Sequence, residues 1–191
     1  MNSLKMLLRI ALVVAASFAR AAEPPPAAAS EQVTRGKYLV MTGGCHDCHT
    51  PWTMTPQGPG PDMTRALSGH PESLDMPGAP ALPAGPWLIT IAATHTAYAG
   101  PWGVSFTANL TPDRETGLGK WNERTFIDTI RTGRHLGRGR EVLPPMPIAV
   151  YQNFTDADLA AIFAYLQAIP AIKNRVPAPR APAALAAQAG S

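Results

Sequence analysis

Apolar positions along this chain gather into a few short runs separated by long stretches rich in proline and glycine. The clearest run is Leu159, Ile162, Phe163 and Leu166, an i, i+3, i+4, i+7 stripe that gives a helix one apolar face. Thr155 stands at its N-cap, Asp158 holds the capping-box position and Pro170 follows its end, so the pattern predicts a helix over Asp156–Ala168. A second helix is predicted over 122–132, with Asn122 as cap, Phe126, Ile127 and Ile130 on one side and Gly133 as the stop. A third is predicted over about 31–41, where Val33, Tyr38, Leu39 and Val40 make a less regular apolar side. It leads through Gly43-Gly44 into a turn that carries both cysteines. These stripes are expected to be core faces that build the walls of a site.

Residues 52–102 break the helical pattern. They include Gly58-Pro59-Gly60-Pro61 and Gly85-Pro86-Trp87, which read as loop. Leu88-Ile89-Thr90-Ile91 and Gly103-Val104-Ser105-Phe106 fit a small two-stranded ribbon. Long loops in compact domains often carry function. This one is expected to shield a site or offer a docking face, with a plain connection as the alternative.

The first residues look like an address. Lys5 and Arg9 flank an apolar run over 10–18, and Ala19-Arg20-Ala21 resembles a cleavage site, so 1–21 reads as a secretory signal. The run is short for a bilayer span, which takes about 20 residues. Membrane association is therefore expected only if the signal stays uncleaved, and a bacterial-type signal points to the periplasm. The rest divides into a flexible linker over 22–30 with Pro24-Pro25-Pro26, one domain over 31–175, and a flexible Ala/Pro-rich tail over 176–191. The formal charge of +3 counts 16 basic against 13 acidic side chains. Lys5, Arg9 and Arg20 lie in the signal, and without them the balance is neutral. Nothing in that balance supports nucleic-acid binding.

Cys45-His46-Asp47-Cys48-His49 carries the chemistry. It reads C-x-x-C-H, the attachment signal of a c-type haem. The two thiols sit on one side of a helical turn, where they can add across the two vinyl groups of a haem. His49 follows and reaches the iron from the same side. A redox dithiol and half of a zinc site are the competing readings. A dithiol site normally follows a βαβ pattern, which is absent here. Zinc would need further ligands, and the chain has no other cysteine, with His70, His95 and His135 scattered. A single C-x-x-C-H means one covalent haem c.

A haem iron with His49 on one side takes a second ligand on the other. Met146 is the leading candidate, because Leu143-Pro144-Pro145-Met146-Pro147 is a stiff loop that lowers the entropy cost of presenting a thioether. Met146 as a core filler is the alternative. Met41, Met54, Met63 and Met76 remain rivals, and so do His70, His95 and His135. Arg131, Arg134, His135, Arg138 and Arg140, interleaved with glycines, form either an electrostatic patch for propionates or an acidic partner, or a solvated loop.

Several short motifs in order resemble the class I c-type cytochromes, and in particular the single-haem modules of cytochrome c subunits of alcohol- and sugar-dehydrogenase complexes. They are Gly36-Lys37-Tyr38-Leu39 ahead of Cys45–His49 with Thr50-Pro51, then Asn109-Leu110-Thr111-Pro112-Asp113, Glu115-Thr116-Gly117-Leu118-Gly119 and Trp121. Phe126, Ile130-Arg131-Thr132-Gly133, Pro145-Met146-Pro147, Thr155-Asp156 and Ala164-Tyr165-Leu166 complete the series. The resemblance implies an all-α cytochrome c fold, three to five helices around one haem, interrupted by the Pro/Gly-rich insertion. It implies thioethers on Cys45 and Cys48, with His49 proximal and Met146 distal. It implies a crossing of the first and last helices at Gly36, and makes Trp121 a candidate propionate contact, with a core tryptophan as the alternative.

The expected role is an electron carrier, not an enzyme. Single electrons would pass between redox proteins (a dehydrogenase, an oxidase or another cytochrome), from a dehydrogenase towards the respiratory chain. The competing class is a haem enzyme or a gas or redox sensor with a displaceable distal ligand.

Overall fold

The structure, a computed structural model, describes residues 26–78 and 86–182. The expected signal over 1–21, the start of the linker and the end of the tail lie outside the described residues. Helix α1 runs Pro26–Thr42, α2 Cys45–His49, α3 Glu123–Thr132, α4 Ile148–Tyr151 and α5 Asp156–Ala168. Strands β1 (Trp52–Thr55) and β2 (Gly58–Pro61) make one antiparallel hairpin. Strands β3 (Thr90–Ile91), β4 (Ala97–Gly100) and β5 (Gly103–Phe106) make a second antiparallel sheet in the order β3-β4-β5. Among the described residues, no helix is long and apolar enough to cross a membrane.

The all-α expectation is therefore wrong: two small sheets occupy the insertion. The expected ribbon is also wrongly paired. β4 lies between the two runs, pairing Thr90 with Ala99 on one side and Val104 with Ala99 on the other. In β2, Pro59 and Pro61 lack the N–H that an interior strand would need on both sides, so β2 is confined to an edge.

The predicted helices are all present. Asn122 Oδ1 accepts from Thr125 N at 2.8 Å and Gly133 closes α3 in the left-handed region at φ 65°. Thr155 Oγ1 accepts from Asp158 N at 3.0 Å to open α5. Helix α1 starts at Pro26, so part of the expected linker is its first turn. Proline suits that turn because its missing N–H would be unpaired there anyway.

Leu39 and Val40 of α1, Phe126, Ile127 and Ile130 of α3, and Leu159, Ile162, Phe163 and Leu166 of α5 pack into one helical core with Leu67 and Leu118. Ala97, Ala99, Val104 and Phe106 form a separate small core beneath the second sheet. Helices α1 and α5 cross at Gly36. A Cβ there would fall 1.9 Å from the Ala161 carbonyl oxygen, so only glycine permits this approach.

Two buried asparagines join the parts. Asn174 Nδ2 donates to the carbonyls of Ser68 (2.7 Å) and His70 (2.8 Å), and its Oδ1 accepts from Glu72 N at 2.8 Å. Asn109 Oδ1 accepts from Thr111 N at 3.0 Å while its Nδ2 reaches the Ile172 carbonyl at 2.8 Å. The chain after α5 is thus drawn back across the insertion. Arg180 continues this by pairing with Val104, N to O at 2.9 Å in both directions, so the described part of the expected flexible tail is bound to β5. Asn174→Ala would strand two carbonyls and one N–H in a site only 2% exposed. Each orphaned group costs about 1–3 kcal/mol, so we expect a melting temperature lower by roughly 5–15 °C in a thermal unfolding scan. An unchanged melting temperature would show that the clasp is idle.

Candidate haem-attachment site

Helix α1 ends in a sharp turn. Gly43 N donates to Leu39 O at 2.8 Å, and Gly44 takes the left-handed conformation at φ 71° as the N-cap of α2. The Gly43 carbonyl is held in turn by the Tyr151 hydroxyl at 2.5 Å. This turn fixes the direction of α2, whose five residues are Cys45 to His49. Both cysteines are free thiols and half-buried.

His49 is buried, and its Nδ1 lies 2.8 Å from the Ala108 carbonyl oxygen. A carbonyl only accepts, so Nδ1 carries the proton and Nε2 keeps its lone pair. That is the tautomer and the fixed ring orientation a metal-ligating histidine needs. Burial holds the His49 pKa below its ordinary value, the Ala108 carbonyl opposing it, and this also favours the neutral ring. Ala108 is in reach because Gly69 is glycine. At φ 77° its Cβ would sit 2.6 Å from the Ala108 oxygen. Gly69 N also donates to His49 O at 2.8 Å, so residues 67–70 and 107–110 bracket the histidine.

The thiols differ in setting. Burial pushes the Cys45 thiol up to about 11, against smaller opposing hydrogen bonds. A redox dithiol needs the opposite, a thiol lowered towards neutral pH, so this environment does not suit that chemistry. Cys48 Sγ lies 3.1 Å from the hydroxyl of Tyr98, which also reaches the His95 carbonyl at 2.8 Å. The carbonyl is the better acceptor for the single phenolic proton. Burial first, then Cys48, raises the Tyr98 hydroxyl far above its usual range.

Cys45, Trp121 and Met146 all pack, half-buried, against the helical core. The Trp121 ring meets His135 edge-on at 5.4 Å. Of the rivals for the second ligand, His135 stands beside Trp121, while the others are engaged, stacked, exposed or packed on the other core. Both His70 nitrogens are engaged, Nδ1 with Thr96 Oγ1 at 2.9 Å and Nε2 with the Leu74 carbonyl at 3.2 Å. His95 stacks flat on Trp52 at 4.0 Å. Met41, Met54 and Met63 are exposed, and Met76 packs on the sheet core.

The basic run is largely spent on internal contacts. Arg131 donates to the Gln152 and Phe154 carbonyls and to Asp156 at 2.6 Å, joining α3 to the start of α5. Arg134 reaches the Gly139 carbonyl at 3.0 Å and Glu141 at 3.6 Å. Sequence reasoning missed Ala108, Tyr98, Tyr151 and Ser105. Ala108 acts through its backbone, which leaves no signal in a side-chain pattern, and the other three act across 39 to 108 positions of chain.

A buried, oriented imidazole and two free thiols share one short helix, a donor set that could hold a metal-bearing group. No family model matches the chain. Curated relatives include the fructose dehydrogenase cytochrome subunit of Gluconobacter japonicus, 25% identical over 84% of this chain. The cytochrome c subunit of the quinone alcohol dehydrogenase of Gluconobacter oxydans is 31% identical over 70% of it. A nicotinate dehydrogenase subunit of Pseudomonas putida is 37% identical over 41% of it. The chain spans 27%, 20% and 6% of the length of these relatives, respectively. The relatives matched over most of the chain are thus cytochrome subunits of dehydrogenase complexes, at modest identity.

Proposed function

We propose that the chain is a monohaem c-type cytochrome of the periplasm that carries single electrons from a dehydrogenase partner towards the respiratory chain. The observation that carries this is His49: its Nδ1 is committed to Ala108, leaving Nε2 as a neutral ligand next to two free thiols. The donor set fits haem c. Cys45 and Cys48 would hold it as thioethers, His49 would take the proximal position, and Met146 the distal one. When bound, the haem supplies a one-electron ferrous–ferric couple, and His/Met ligation raises its potential.

The chain's own contribution is to hold and insulate. Ala108 and Gly69 keep the His49 ring from rotating. Tyr151, itself pushed up to about 12 by burial and the Cys45 sulfur, stays a protonated donor and fixes the turn before α2. Trp121 borders the same core as Met146 and would be the candidate contact for a propionate. If His49 and Met146 both held the haem, no substrate site would remain open on it, which would suit a carrier. The dehydrogenase names of the relatives support a dehydrogenase partner, and the basic and apolar residues over 1–21, read as a secretory signal, support the periplasm.

Visible and near-infrared spectra of the exported, matured chain test this reading. We expect a low-spin c-type spectrum, a Met–ferric charge-transfer band, and a ferrous state that carbon monoxide does not change. Met146→Ala should lose the band and bind carbon monoxide. A high-spin wild-type spectrum with ready carbon monoxide binding would overturn the closed site and favour a haem enzyme or sensor.

A further inference from the structure

The second sheet does more than meet the attachment helix through Tyr98. The geometry points to Ser105 of β5 as a positioning residue for the Met146 loop, an inference that rests on Met146 being the distal iron ligand. Ser105 is buried, and its hydroxyl lies 2.6 Å from the carbonyl oxygen of Pro144, two residues before Met146. Trp102 Nε1 donates to the Ser105 hydroxyl oxygen at 3.3 Å. The Tyr98 carbonyl, at 3.5 Å, is at the limit of a hydrogen bond. A hydroxyl has one proton, and the short contact takes it. With the indole N–H occupying a lone pair, the Ser105 O–H is left pointing at Pro144. Trp102 is seated where a Cβ on Gly100 would fall 2.5 Å from its ring, so this position tolerates only glycine as the ring now lies.

The loop has few other ties. Pro144, Pro145 and Pro147 have no N–H to donate. Within the stretch, Met146 O accepts from Ile148 N at 2.9 Å and Pro147 O from Val150 N at 2.9 Å and Tyr151 N at 3.2 Å, local bonds that shape the turn, while the Met146 side chain packs on the helical core. Among the described residues, the Ser105 bond is the one hydrogen bond that joins residues 143–147 to a segment distant in sequence. A stiff loop without an anchor still swings as a body. Ser105 fixes it to the second sheet, so the hairpin β4–β5 sets where the thioether stands.

The test uses the full-length holoprotein and measures the Met–ferric charge-transfer band, the affinity of the ferric form for imidazole and the reduction potential. In Ser105→Ala we expect a weaker band, a lower potential, and imidazole affinity raised roughly three- to tenfold, the worth of one hydrogen bond. Ser105→Thr, which keeps the hydroxyl, should restore all three. Trp102→Phe, which removes the supporting N–H along with part of the ring that lies over Gly100, should shift them the same way by less, and it stands in should Ser105→Ala fail to fold. A lowered melting temperature with band, potential and imidazole affinity unmoved would overturn the inference, since a merely structural serine gives that result. Met146→Ala separates the two ideas. If it keeps the band, the ligand reading fails and Ser105 falls with it; if it loses the band while Ser105→Ala changes nothing, only the Ser105 inference fails.

Discussion

Gly36→Ala is expected to lower the melting temperature by roughly 10 °C or to prevent folding, although helix propensity alone predicts the opposite. In an isolated helix, alanine is better than glycine by about 1 kcal/mol. Gly36 lies inside α1, so the local term favours the substitution. The packing term opposes it and is larger. The new Cβ would stand 1.9 Å from the Ala161 oxygen, 2.6 Å from the Ala161 carbonyl carbon and 2.8 Å from the Tyr165 Cβ. Two of these atoms are backbone of α5 and cannot turn away as a side chain would. The helices must separate, and that uncovers Leu39, Val40, Leu159 and Leu166, all within the helical core. Overpacking costs about 1–3 kcal/mol before this loss of burial is counted, and each kcal/mol moves the midpoint by about 2–4 °C in a domain of this size. The Arg35–Asp158 ion pair, 2.9 Å long and half exposed, adds little to hold the crossing. Gly78→Ala is the control, because a Cβ there meets nothing within 4 Å. Thermal unfolding followed by far-UV circular dichroism should separate the two variants, and equal midpoints would mean that α1 and α5 do not touch at Gly36.

That crossing was legible in the sequence only through resemblance, whereas the helices themselves were legible through physics. Leu159, Ile162, Phe163 and Leu166 repeat at the helical period, and Thr155 and Asn122 are side chains whose capping bonds form as expected. The sheets escaped for an equally physical reason. β2 is Gly-Pro-Gly-Pro, β3 is two residues long, and β4 is Ala-Tyr-Ala-Gly, so none carries an alternating pattern. Their partners are set by the Trp102 turn and by the returning chain at Arg180. The site divides in the same way. The C-x-x-C-H motif is local and could be read at once. What orients His49 is a carbonyl 59 positions away, and what anchors Asn174 lies more than 100 positions away. In the basic run, read as either a patch or a solvated loop, the Arg131 guanidinium is committed to the α3–α5 junction, a distant contact that the sequence could not show.

Removing both thiols should have the largest chemical effect. In Cys45→Ala/Cys48→Ala, matured in a host that attaches haem, we expect a polypeptide mass without the one-haem increment of the wild type and no haem stain after denaturing electrophoresis. Each single variant keeps one sulfur, so it should retain one thioether at reduced yield. The two are not equivalent. Cys45 packs against the helical core, and its replacement also leaves a small void there. Cys48 faces the Tyr98 hydroxyl from the insertion, so Cys48→Ala leaves the core intact and takes only a weak polar contact from β4. Cys45→Ala should therefore accumulate to a lower level than Cys48→Ala at similar haem loss. The double variant should be the least abundant, because a group held only by the native state adds its binding free energy to folding, and that contribution disappears with attachment. A wild-type protein that lacks the one-haem increment would remove the basis for the carrier reading. A zinc or dithiol protein would show that result, with the mass shifted by metal or by two hydrogens instead of by haem.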